Sequence, residues 1–267
     1  MFKRILSKQN KALLSELVRT DFKLRYQGSL LGYAWSLLRP LLMFLILYIV
    51  FVKFLKLGNG IPHYPVYLLL GIVIWNFFVE TTQQSLTSIV VRGDLIRKIR
   101  IPRWTIVASS SVSALINFLL NLAVVLVFIL FSNVGISSSV FIFPLILIEV
   151  YILALGLSFF LAAAFVKFRD ISYIWEVLLQ AGFYLTPILY PLSLITNVTF
   201  QKIILLNPMA QAIQAARYSI ITHKTITIHE IFQGGYYQFI PYIIVVLVIV
   251  FGSFFFRQQS RNFAEDI

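Results

Sequence analysis

The chain has no cysteine. That excludes disulfide staples and thiolate metal sites, and it leaves the redox compartment open. Several catalytic devices are missing too. No G-x-x-x-x-G-K-[ST] loop occurs, so this chain does not bind ATP by that device. No G-x-S-x-G, H-E-x-x-H or paired-carboxylate constellation is found. Acidic residues number only 10 against 22 Lys and Arg in 267 residues. No apolar run carries the spaced carboxylates of a proton relay. The three histidines, His63, His223 and His229, fall in segments between apolar runs and read as interfacial groups rather than ligands. The N-terminal MFKRILSKQNKALLSELVR has no uninterrupted apolar core, so a cleavable signal peptide is not expected.

What is abundant is apolar surface. Hydrophobic residues make up 60% of the chain and the mean hydropathy is +0.89, whereas soluble domains are about 45–50% apolar. The sequence is that of an integral membrane protein. A net charge of +12 would suggest nucleic acid in a soluble chain. Here the cations flank apolar runs, so topology and anionic headgroups account for them, and no nucleic acid is expected. The expected fold is all-α with six transmembrane helices over 33–52, 65–91, 104–131, 140–166, 171–192 and 239–256. Residues 1–32 form a cytoplasmic amphipathic interface helix and lead-in loop. Residues 33–256 form the membrane domain, and 257–267 a cytoplasmic tail. With both termini inside, inner segments carry 16 basic residues and outer ones five, as the positive-inside rule requires. Between spans five and six, 193–238 reads as short re-entrant helices in the outer leaflet.

Two inner segments stand out. Residues 92–103, RGDLIRKIRIPR, hold Arg92, Arg97, Lys98, Arg100 and Arg103. Leu95, Ile96 and Ile99 share a helical face, Asp94 can pair with Lys98, and Pro102 ends the pattern. This reads as a short cytoplasmic helix suited to a soluble partner, or as a solvated loop that only sets topology. Residues 8–27 place Leu13, Leu14, Leu17, Val18 and Phe22 on one half of a helix and Glu16, Arg19 and Lys23 on the other, as in a helix lying in the membrane interface. Asp21 and Arg25 project toward the apolar half. They read equally as an intrahelical pair or as a polar hook for a partner or headgroup.

Polar residues within apolar runs need protein or water around them. Arg39 lies near the cytoplasmic end of the first run. Glu80, Gln83 and Gln84 occupy the second half of the second, Asn117 and Asn121 the third, Glu149 the fourth and Glu176 the fifth. Pro187 is expected to break or bend the fifth, leaving carbonyls that need new donors.

A set of residues resembles the permease subunits of ATP-binding-cassette polysaccharide exporters, which move O-antigen, capsule or teichoic-acid chains. Asp21-Phe22-Lys23-x-Arg25-Tyr26, Ser29-x-Leu31-Gly32-Tyr33-x-Trp35 and Pro40 open it. Gly71 to Phe78, Lys98 with Ile101-Pro102-Arg103, and Phe168-Arg169-Asp170 follow. Thr186-Pro187-Ile188-x-Tyr190, Asn207-Pro208 and Phe263-Ala264-Glu265 complete it. The resemblance implies a homodimer joined to two copies of a separate ATPase in the bacterial cytoplasmic (inner) membrane. No cofactor is expected in this chain, because the partner binds ATP and Mg. The permease itself is not an enzyme. Residues 92–103 would be a coupling helix, with Arg92, Asp94, Arg97, Lys98, Arg100, Arg103, Asp21 and Arg25 facing the ATPase, and 193–220 would form outer gate helices. Aromatic rings offer sugars a sliding surface, so Tyr33, Trp35, Trp75, Phe78, Phe183, Tyr184 and Tyr190 are candidates for the channel of a lipid-linked polysaccharide. They also suit the headgroup belt or simple packing. Rival readings are a drug or lipid exporter of the same superfamily, a membrane transferase acting on a lipid-linked glycan through Asp21, Asp94 or Asp170, and a passive channel or scaffold.

Overall fold

The computed structural model describes residues 8–26, 32, 34–56, 60–98, 101–132, 134, 135 and 137–263. Among them no strand occurs. In chain order the first helices are α1 (Lys8–Tyr26), α2 (Ala34–Leu47, continued by a π-helical stretch Tyr48–Phe54), α3 (Tyr64–Val91), α4 (Gly93–Lys98) and α5 (Trp104–Phe131). Then come α6 (Phe143–Lys167), α7 (Ile171–Leu185), α8 (Val198–Leu205), α9 (Pro208–Ile220), α10 (Ile228–Phe232) and α11 (Ile240–Gln259).

Burial sorts these helices by position. The first two-thirds of α3 is apolar almost all round, and such a helix must be covered on every side. Its most apolar window is 78% buried, and it forms the axis, with α5 and α6 against it. The window that covers α2 is only 11% buried, which puts it at the periphery. Helix α11 lies along α6, and the two backbones come closest where Gly156 faces Gly252. A Cβ on Gly252 would sit 2.1 Å from the Gly156 carbonyl oxygen. Helix α1 packs against α5. Its apolar half is the less exposed one: Leu17 is buried, while Glu16, Arg19 and Lys23 are exposed.

Among the described residues, five helical stretches are long and apolar enough to cross a membrane: Ala34–Phe54, Tyr64–Val91, Trp104–Phe131, Ser138–Lys167 and Tyr236–Gln259. The sixth expected run, 171–192, is different. Helix α7 has 15 residues, about 22 Å at ~1.5 Å per residue, against a hydrocarbon core of ~30 Å. It stops because Pro187 disfavours helical geometry at the residue before it, and Thr186 is extended (φ −82°, ψ 136°).

The helix ends nevertheless sort into two poles. Ile89, Ile96, Ile106, Val166, Phe256 and Phe263 share one cluster. That cluster gathers the end of α3, the start of α5 and the ends of α6 and α11 at a basic pole. At the other pole the Tyr64 hydroxyl, at the start of α3, donates to the Leu189 carbonyl at 2.6 Å. The chain between Lys167 and Leu189 therefore passes from pole to pole along α3. Trp175 Nε1 donates to Thr82 Oγ1 at 3.1 Å on the way. Segment 193–238 folds as short helices, as expected. Asn207 caps α9 by accepting from the Met209 N–H at 2.9 Å, with Pro208 in the first turn.

Candidate coupling face, membrane cavity and sealed helix break

At the basic pole, α4 docks through Ile96, which is buried in the cluster beside Ile106 and Phe256. Asp94, Arg97 and Lys98 are exposed. The expected Asp94–Lys98 ion pair is absent from the ion pairs of the described residues, since both side chains are solvated and water competes for them. Arg92 turns inward. It pairs with Asp21 of α1 and donates to Ser109 Oγ of α5 at 2.9 Å. Burial pulls the Arg92 pKa down from its ordinary value. The second Asp21 oxygen, Oδ2, is buried without a hydrogen bond. Arg103 donates to the Ser260 carbonyl just beyond α11. Of the sequence candidates, Arg92, Asp21 and Arg103 thus fasten elements together, and Asp94, Arg97 and Lys98 face outward. Arg100 and the Arg25 side chain lie outside the described residues.

Between α2, α3 and α5 lies a cavity of about 730 Å³. The polar half of α3 faces it through Glu80, Gln83 and Gln84, opposite Trp35, Arg39 and Met43 of α2. Glu80 Oε1 accepts from Gln84 Nε2 at 2.7 Å and from Asn117 Nδ2 at 2.6 Å. Asn121 Nδ2 donates to the Asn117 carbonyl at 2.8 Å and to the Ser36 carbonyl at 3.2 Å. Polar residues far apart in the sequence therefore share one wall. Glu149 lies elsewhere, on α6, with Oε1 buried and without a partner. Glu176 is exposed on α7.

The aromatic candidates divide by burial. Trp75 and Phe78 are buried at the α3–α7 contact, with Trp75 and Phe183 centroids 6.2 Å apart. Gly182 permits this contact, because a Cβ there would sit 2.9 Å from the Trp75 ring. Trp35 is exposed to the cavity, and Tyr33 lies outside the described residues. Tyr184 is exposed on α7 with Tyr173, Glu176 and Gln180. These four positions fall on one helical face. No group of three His, Cys, Asp or Glu able to hold a metal is present among the described residues.

Residues 12–221 match the ABC-2 type transporter family. The chain belongs to that family. Across 260 residues it is 31% identical to an O-antigen export system permease protein RfbA of Myxococcus xanthus, covering 97% of this chain and 96% of the relative. Two proteins of the same name from Klebsiella pneumoniae are 31% and 30% identical over 258 residues, covering 95% of this chain and 94% of each relative. This ABC-2 chain is a multi-pass membrane transport subunit of the permease kind.

The break after α7 in this ABC-2 chain is sealed by a residue that belongs, by sequence, to the outer-segment cations. Arg217 of α9 is wholly buried. Its guanidinium donates to the carbonyls of Pro187 (2.5 Å), Ile188 (2.8 Å) and Tyr67 (3.0 Å), and to Gln214 Oε1 (3.0 Å). It lies 3.7 Å from the centre of the Tyr67 ring. Gly71 makes room for it, since a Cβ there would sit 2.4 Å from Nη2. The remaining carbonyls of the break also find donors. Tyr190 OH reaches those of Tyr184 (3.2 Å) and Leu185 (3.3 Å), the Ile188 N–H reaches that of Thr186 (2.6 Å), and Tyr64 OH reaches that of Leu189. Each carbonyl from 184 to 189 has a donor within reach, with the single Tyr190 proton shared between those of Tyr184 and Leu185. Two signals in the sequence pointed here: a proline that frees carbonyls within an apolar run, and one cation in an otherwise uncharged helix.

Proposed function

We propose that two copies of this chain form the transmembrane pathway of an exporter for a lipid-linked polysaccharide in the bacterial cytoplasmic membrane, driven by ATP hydrolysis in a separate subunit. The observation that carries this reading is the near end-to-end likeness to three O-antigen export permeases. The geometry supports it. Helix α7 crosses the membrane as the sixth span, short of full length, with its irregular end capped by Arg217. Its face with Tyr173, Glu176, Gln180 and Tyr184 is uncovered by the chain itself. A carboxylate and an amide facing hydrocarbon cost several kcal/mol, whereas facing a wet pathway between two copies they cost little. Rings interleaved with polar groups suit a sugar chain that slides, because sugar faces stack on aromatics without fixed register.

The ATPase docks on the outward residues Asp94, Arg97 and Lys98. Through the Asp21–Arg92 pair its motion reaches α1 and α5 together. The test is deletion in the native bacterium followed by complementation. Loss of surface polysaccharide with intracellular accumulation of the lipid-linked chain is expected, and a partner ATPase with its Walker lysine replaced should reproduce the loss. Normal surface polysaccharide in the deletion strain would end this reading.

A further inference from the structure

The cavity between α2, α3 and α5 is not the uncovered face of α7, and its chemistry is of another kind. We infer that it is a recognition site for a sugar-phosphate head, with Arg39 binding the phosphate and Glu80, Asn117 and the neighbouring amides reading sugar hydroxyls. Three observations carry this. Arg39 lies within a membrane-length helix, lines the cavity, and has neither an ion pair nor a hydrogen bond among the described residues. Arg39 is exposed near one end of its run, and its guanidinium fork matches phosphate oxygens better than any other side chain does. Second, Asn117 is 3% exposed and its Oδ1 is buried without a partner, while its Nδ2 is committed to Glu80. One acceptor of a cavity-lining side chain is thus held in place and unmet. A sugar hydroxyl supplies the missing donor, and a phosphate cannot. Third, Trp35 is 46% exposed on the same wall, where an indole can stack on a pyranose face.

The composition separates this ligand from an ordinary phospholipid. A phosphatidyl headgroup needs the cation alone. A site that adds a carboxylate, several amides and an indole is built for hydroxyls. Glu80, held by Gln84 and Asn117, repels a phosphate laid directly against it, so the phosphate belongs beside Arg39 and the sugar beside Glu80. A volume of about 730 Å³ falls within the usual range for small-ligand sites of roughly 300–1,000 Å³. This site deepens the export reading and rests on it: it would hold the phosphate-proximal sugar of the lipid-linked chain.

The test uses the full chain purified in phosphatidylcholine nanodiscs. The probe is a polyprenyl diphosphate carrying one N-acetylhexosamine, with the sugar-free polyprenyl diphosphate and phosphatidylglycerol as comparison ligands, and binding is read by native mass spectrometry. The sugar-bearing probe should bind at least about tenfold tighter than phosphatidylglycerol. Arg39→Gln should weaken both diphosphate probes about tenfold or more, and Arg39→Lys, which keeps the charge but not the fork, should restore only part of that loss. Asn117→Ala should weaken the sugar-bearing probe alone. If phosphatidylglycerol binds as tightly as the sugar-bearing probe, the site is a general anion site and the sugar assignment is overturned. If all three variants bind like the parent chain, the cavity is not the site, while the deletion phenotype can still uphold export. If deletion leaves surface polysaccharide intact although the probe binds through Arg39 and Asn117, export fails and the recognition site stands.

Discussion

Arg217 is a buried cation whose partners are neutral oxygens rather than an acid. Desolvation opposes its charge, and the arrangement holds because nearly all of its donors are used where the broken helix needs them. Arg217→Met removes those donors and leaves the Pro187 and Ile188 carbonyls buried without partners, while Gln214 Oε1 keeps the Tyr67 hydroxyl. A loss of at least about 3 kcal/mol is expected, read as a fall in unfolding midpoint in detergent. Arg217→Lys should recover less than half of it, since one ammonium cannot span Tyr67, Pro187 and Ile188 together. Gly71→Ala forces the guanidinium aside and should cost about 1–3 kcal/mol. Combined with Arg217→Met, the same Gly71 substitution should be close to neutral, because the atom it strikes is gone.

At the scale of elements, the pair between α1 and the end of α3 is the feature to disturb. Asp21→Asn and Arg92→Gln should each lower substrate exported per ATP hydrolysed severalfold. The double variant should be no worse than either single one, as expected for two ends of one contact. A double variant as poor as the sum of the singles would show that they act separately. This pair was not legible in the sequence. Periodicity relates residues three and four apart, so it offered Arg25 as the partner of Asp21, whereas Arg92 lies 71 positions away. The helices themselves were legible where local chemistry marks their ends. Pro102 precedes α5, whose limits of 104 and 131 follow from the apolar run, and Asn207-Pro208 starts α9. The end of α7 was legible in Pro187, but the bounds 171–192 followed hydropathy, which continues past Leu185 where the helix stops. Within the cavity, each polar residue was visible as an anomaly in its own apolar run. That Arg39, Glu80 and Asn117 share one wall depends on how three helices pack, which no single run encodes.

For the whole molecule, the absence of native cysteine makes the proposed pathway directly testable. A single cysteine at Gln180 or Tyr184 should react with a membrane-impermeant maleimide in intact complexes, and one at Ile174 or Leu178, on the neighbouring apolar side, should not. Equal labelling of both sides would remove α7 from the pathway. Helices α6 and α11 should respond as one unit. Gly252→Leu should push them apart at Gly156 and lower membrane abundance, while Gly252→Ala should do so less. The carbonyl seal at the far end of α7 has a mechanical consequence. Because α3 and α9 both hold that end, it cannot act as a swivel, and α7 tilts as a stiff rod anchored at the pole opposite the basic one. Its travel is then greatest beside the Lys167–Asp170 turn, so a force applied at the basic pole acts on the long arm.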